Sequence, residues 1–72
     1  MPSLPILSGR EVVKVLLKIG YVEVRQRGSH IRLSCQGRRS VTVPNHETIG
    51  RGLLRKILRD AEITPSYFAN FL

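Results

Sequence analysis

Residues 20–44, GYVEVRQRGSHIRLSCQGRRSVTVP, decide the fold of this chain. Apolar and polar residues alternate inside that stretch, the pattern of strands with one buried face. Val22 and Val24 alternate with Glu23 and Arg25; Ile31, Leu33 and Cys35 alternate with His30, Arg32 and Ser34; Val41 and Val43 alternate with Ser40 and Thr42. Arg27–Gly28 and Gln36–Gly37 read as tight turns, and Pro44, which has no amide hydrogen for a ladder, stops the third strand. Strands joined this closely pair antiparallel. Their valine and leucine face is expected inside, with Arg25, Arg27, His30, Arg32, Ser34, Ser40 and Thr42 together on the open face.

Outward from the strands the period becomes helical. Ser8 and Glu11 have the spacing of a capping box, Leu7 and Val12 that of a hydrophobic staple, and Val12, Val15, Leu16 and Ile19 form one apolar stripe. Gly20 is expected to end this first helix as a left-handed cap, and residues 1–7, with two prolines, read as an extended lead-in. After a polar connection from Asn45 to Gly50, helical spacing returns from about Arg51 through Leu53, Leu54, Ile57, Leu58 and Ala61. Thr64 and Pro65 cap and open a short helix from Pro65 to about Phe71, bearing Tyr67, Phe68 and Phe71. The class is therefore α+β: helix, three-stranded antiparallel sheet, helix, short C-terminal helix. One domain spans residues 1–72, with its core over about residues 7–63.

A chain of 72 residues buries only about 60% of its unfolded surface, so its core is small. Twelve Lys and Arg against five Asp and Glu leave a formal charge of +7, which favours phosphate-rich partners through counterion release. Most of the cations are arginine, whose planar fork grips phosphate bidentately. Cys35 is the only cysteine, so an intrachain disulfide is excluded. The start MPSLPIL lacks the basic opening and long apolar run of a signal peptide, and no stretch approaches the roughly 20 apolar residues of a membrane span. A cytoplasmic protein without membrane attachment is the expectation.

The residues able to carry chemistry are few. His30, His46 and Cys35 lack paired metal-ligand spacing, and alternation sends Cys35 away from His30, so no metal or other cofactor is expected. Ser29 and His30 are adjacent on a strand, where side chains project to opposite faces, a poor arrangement for a hydrolase serine. RNA cleavage asks for less, because the 2′-hydroxyl is the nucleophile and the protein must align it, move protons and offset charge on the phosphorane. A histidine among arginines suits that task, although an outward strand histidine is commonly only solvated surface. Neighbouring guanidinium groups and a bound phosphate bias its protonation in opposite senses, so base and acid roles both stay open. Candidate RNA contacts are Arg25, Arg27, Gly28, Ser29, Arg32, Arg38 and Arg39, and His46 in its polar loop is a secondary candidate. Gly28 serves the hairpin and also permits close backbone approach to a ligand. The cations of Arg55, Lys56 and Arg59 suit a solvated helix face as well as a phosphate strip, and the aromatic tail suits core closure, base stacking or a partner surface. A non-catalytic RNA-binding module on the same basic face is the alternative reading.

Taken together, LSGREVVKVLLKIGYVEVRQRGSHIRL, RRSVTVPNH and GLLRKILRDAEI resemble the HicA family, also called YcfA-like, of small bacterial toxins, over about residues 7–63. The specific parts are the LSG opening, the GY break before the first strand, the RQRGSH turn, the TVP followed by a histidine, and the LRKIL run. The resemblance implies a fold similar to a double-stranded RNA-binding domain and the activity of a metal-independent messenger RNA endonuclease. It implies His30 as the catalytic residue. It also implies a HicB antitoxin that binds the toxin and blocks the active site. Two positions depart from the pattern: Ile31 stands where many relatives carry a second histidine, and Glu62 where the turn after the last main helix usually has glycine. The second departure leaves open whether that helix ends without a glycine cap or continues. The loop from His46 to Gly52 is also less basic than in many relatives, which shifts the expected RNA affinity toward the strand arginines.

Overall fold

The structure, a computed structural model, describes residues 4–72, so the first three residues of the expected lead-in lie outside the described residues. The elements are α1 (Gly9–Ile19), β1 (Val22–Arg27), β2 (His30–Cys35), β3 (Arg38–Pro44), α2 (Arg51–Asp60) and α3 (Pro65–Ala69). The sheet is antiparallel with order β1-β2-β3, as the two tight turns require. The α+β architecture read from the sequence is the one observed.

Local chemistry sets the helix ends. Ser8 Oγ accepts the Glu11 amide at 3.1 Å while Glu11 Oε1 accepts the Ser8 amide at 2.8 Å, the two halves of the capping box. Those bonds hold the exposed Glu11 carboxyl below its usual pKa range. At the other end Gly20 has φ 129° and the Tyr21 amide reaches the Leu16 carbonyl at 2.9 Å. α2 closes by the same kind of device with the wrong residue. Ile63 N–H donates to Leu58 O at 2.9 Å and Glu62 N–H to Arg59 O at 3.0 Å, a Schellman pair with Glu62 at φ 60° where glycine is usual. The helix therefore ends on schedule, and the hydrogen bonds and the burial of Ile63 hold a side-chain-bearing residue in the left-handed region.

Both main helices cover one face of the sheet. Ile31, Leu33, Val41 and Val43 meet Val12, Leu16, Leu54, Ile57 and Leu58 in a single core, closed by Phe68. Leu53, placed on the buried stripe by spacing, is exposed. α3 ends two residues earlier than expected, and it contributes Phe68 to the core while Tyr67 stays 41% exposed and stacks edge-on against Phe71. Phe71 lies half-buried, with its carbonyl accepting Lys18 Nζ.

The first strand departs from its expected facing. Val22 and Val24 were expected inside, yet they are 60% and 57% exposed. A bulge is the cause. Glu23 opposes Leu33 and Arg25 opposes Arg32, so Val24 is an extra residue that resets the alternation. Residues on either side of it change faces relative to a regular strand. Glu23 and Gln26, opposite Leu33 and Ile31, lie on the helix-covered side, where Arg10 of α1 donates to Glu23 Oε1 at 3.1 Å and to Gln26 Oε1 at 2.9 Å. This polar clamp, rather than two valines, joins the edge strand to the helix layer.

Candidate active site

The turn between β1 and β2 is made by Gly28 and Ser29, one residue later than the expected pair. Gly28 has φ 59°, which a side chain would resist, and Gln26 Nε2 donates to its carbonyl at 3.2 Å. Arg27 and His30 face each other directly across this turn, and Arg25 faces Arg32 one step further along the ladder. Residues paired in a ladder share a face, so His30 and three guanidinium groups come together on the side of the sheet that the helices leave open. With Thr42 they line a recess of about 290 Å³. Arg32 donates to Thr42 Oγ1 at 2.9 Å, which holds one guanidinium across β2 and β3.

Charge sorting makes the recess what it is. No carboxylate lines it, because the bulge has turned Glu23 to the other side, against Arg10. Two arginines directly opposite each other repel, an arrangement that costs stability in an isolated sheet. A dianionic or bridging phosphate placed between them removes that cost and gains charge-assisted hydrogen bonds. Arginine cannot give up its proton, so of the lining side chains the His30 imidazole is the group equipped to move one.

The family model of the HicA toxin of bacterial toxin-antitoxin systems matches residues 9–63. The chain belongs to the HicA toxin family. A chain of a solved toxin-antitoxin complex from Streptococcus pneumoniae has a similar structure, with TM-score 0.70 and 31% identity over 79% of this chain and 98% of that one. No curated protein matches the sequence. The family match ends at Ile63, so α3 of this HicA-family protein lies beyond it.

Of the residues singled out in the sequence, the fold brings Arg25, Arg27, His30 and Arg32 to one recess, with Gly28 and Ser29 in the adjoining turn. It does not bring Arg38 there. Leu33 opposes Val41 but Cys35 opposes Arg38, so β3 carries one extra residue between them and Arg38 is turned to the helix side. Its guanidinium sits near the carbonyls of Ala61 and Glu62, at 3.5 and 3.4 Å, with the Tyr67 ring centroid 6.0 Å away. There it complements the negative end of α2. Arg39 is exposed beside this bulge, outside the recess lining, and its carbonyl accepts the hydroxyl of buried Tyr21 at 2.8 Å. Burial raises the Tyr21 pKa. Cys35 is half-buried against the core, and among the described residues no three His, Cys, Asp or Glu side chains converge.

Two contributors to this HicA-family site escaped the sequence reading. Thr42 was placed on the open face without a role, and its partnership with Arg32 needs the register of β2 against β3. The Arg10, Glu23 and Gln26 clamp depends on a bulge that composition does not announce. His46 is exposed in the loop after β3, and its main chain is tied to the site: Asn45 N–H donates to Ser29 O at 2.5 Å, and Gly9 N–H donates to His46 O at 2.8 Å.

Proposed function

We propose that this protein is the toxin of a toxin-antitoxin pair and acts as an endoribonuclease on messenger RNA without a metal, with His30 transferring a proton at the scissile phosphate. The observation that carries the reading is the acid-free recess in which His30 stands among Arg25, Arg27 and Arg32. Phosphodiester cleavage by a 2′-hydroxyl needs proton transfer and relief of the charge building on the phosphorane. The imidazole supplies the first and the guanidinium groups supply the second. Thr42 orients Arg32, and open space at Gly28 leaves room at the turn for an RNA backbone to approach.

An antitoxin of the HicB type silences the protein by covering this face. Support comes from the similar chain of the Streptococcus pneumoniae assembly, which is a toxin-antitoxin complex, and from the +7 charge, which an acidic partner complements. No described helix is long and apolar enough to cross a membrane.

Purified protein incubated with RNA in EDTA tests the reading, with His30→Ala alongside. Cleavage by the original chain and loss of at least about 100-fold in the variant is the expected outcome. Equal cleavage by both removes His30 from the mechanism, loss of cutting in EDTA replaces it with a metal-dependent one, and salt-sensitive binding without any cutting makes the protein an RNA-binding module.

A further inference from the structure

In-line displacement at phosphorus places the attacking and leaving oxygens on opposite sides of the phosphate. One imidazole held on a strand cannot serve both in the same step, and the arginines of the recess cannot donate a proton. The chain holds one other histidine, and the loop that carries it is bonded to the turn before the first. His30 faces Pro44 across the ladder, two residues before His46. The Asn45–Ser29 hydrogen bond pins the loop to the turn that carries His30, and the Gly9–His46 bond pins it to the start of α1. Contact with α1 is so close that a Cβ on Gly9 would stand 2.0 Å from the Pro44 carbonyl oxygen. Three elements therefore converge on a loop whose histidine is nonetheless exposed. His46 is not part of the recess lining, but its main chain is clamped next to the residue bonded to the His30 turn and its side chain is exposed. An imidazole anchored there is available to a phosphate chain that extends beyond the recess.

We propose that His46 is the second proton-transfer group of this site, the acid that protonates the leaving 5′-oxygen while His30 accepts the proton of the attacking 2′-hydroxyl. This rests on the ribonuclease reading above. The 2′-oxygen forms a bond to phosphorus, the bond from phosphorus to the 5′-oxygen breaks, one proton passes to His30 and one leaves His46. The products are a 2′,3′-cyclic phosphate and a 5′-hydroxyl, and exchange with water returns both histidines to their starting forms. Gly9 is a positioning residue for His46.

A leaving group that needs no proton separates this role from a structural one. An oligoribonucleotide with sulfur in place of the 5′-bridging oxygen at one linkage expels a thiolate, whose conjugate acid is far stronger than an alcohol, near about 8.5 for a thiol. His46→Ala is expected to lose about 100- to 10,000-fold on the ordinary linkage and to cut the sulfur linkage at close to the original rate. His30→Ala is expected to be slow on both. Rescue of His30→Ala instead of His46→Ala overturns the assignment of roles. Equal loss of His46→Ala on both linkages makes its contribution structural, and no loss on either removes His46 from catalysis; both overturn the proposal and leave the ribonuclease reading intact. Failure of the original chain to cut either substrate sinks the ribonuclease reading itself.

Discussion

Removing one arginine from the recess is expected to make the protein more stable and a weaker RNA ligand at the same time. Arg25 and Arg32 face each other directly, and Arg27 faces His30, so three guanidinium groups share the face proposed to hold the phosphates. If each neutralises one phosphate of a single strand, the logarithm of affinity falls with the logarithm of salt at a slope of about −2.1, roughly an 18-fold loss between about 50 and 200 mM salt. Arg25→Thr, in a background of His30→Ala to prevent cutting, should bring the slope to about −1.4 and the loss to roughly sevenfold. Threonine is a good strand residue, and its removal of a like-charge pair should add about 0.5 kcal/mol, worth roughly 2–4 °C in Tm. Fluorescence anisotropy with a labelled single-stranded RNA across a salt series reads the first effect and thermal melting the second. Arg59→Ala on α2 is the control, because it lies outside the recess, and its slope should match the parent. A shallower slope for Arg59→Ala with no change for Arg25→Thr moves the RNA to the outer face of α2 and refutes the assignment.

Other expectations concern the frame that holds the site. Glu62→Gly relieves a left-handed side-chain-bearing residue at a cost in chain entropy, for a net gain of about 0.5–1 kcal/mol and a Tm higher by a few degrees; a lower Tm would contradict the strain argument. Ser8→Ala should cost about 1 kcal/mol, lowering Tm by roughly 4–8 °C in a domain of this size. Because the Glu11 carboxyl is held below its usual pKa, its contribution is present above the unfolded value of 4.5 and is lost as pH falls through the lower folded value. Melts of Glu11→Gln and the original chain should therefore differ at neutral pH and converge in acid, and a gap that widens in acid would reverse the sign. Gly9→Ala forces a methyl group against the Pro44 carbonyl and should destabilise by about 1–3 kcal/mol; an unchanged Tm would mean that the approach of α1 to the loop is adjustable.

What could be read from the sequence was what local chemistry decides. The capping box at Ser8 and Glu11 needs only residues three apart, and it is present. His30 faces outward as alternation requires, because β2 is the central strand and its regular stretch, His30 to Leu33, spans the recess. The edge strands were less legible. Val24 in β1 and the extra residue of β3 between Arg38 and Val41 are counted only against the partner strand, and a period of two carries no mark of either. That one cause misplaced Val22 and Val24, hid the Glu23 pairing with Arg10, and left Arg38 expected near RNA when it lies against the end of α2. The anchoring of His46 was hidden for a different reason. It depends on α1 touching a loop some 37 positions away, a tertiary fact that spacing along the chain does not record.

The bulge at Val24 also bears on how this protein survives before it meets a partner. β1 is a free sheet edge with two bare valines, the kind of strand that recruits copies of itself into extended aggregates. The inserted residue breaks the regular row of amides and carbonyls, and Arg25 and Arg27 set cations along the same strand. Two such edges brought together would mismatch in spacing and repel in charge. One irregular residue thus gives the newly made chain colloidal safety while the valines remain available to solvent.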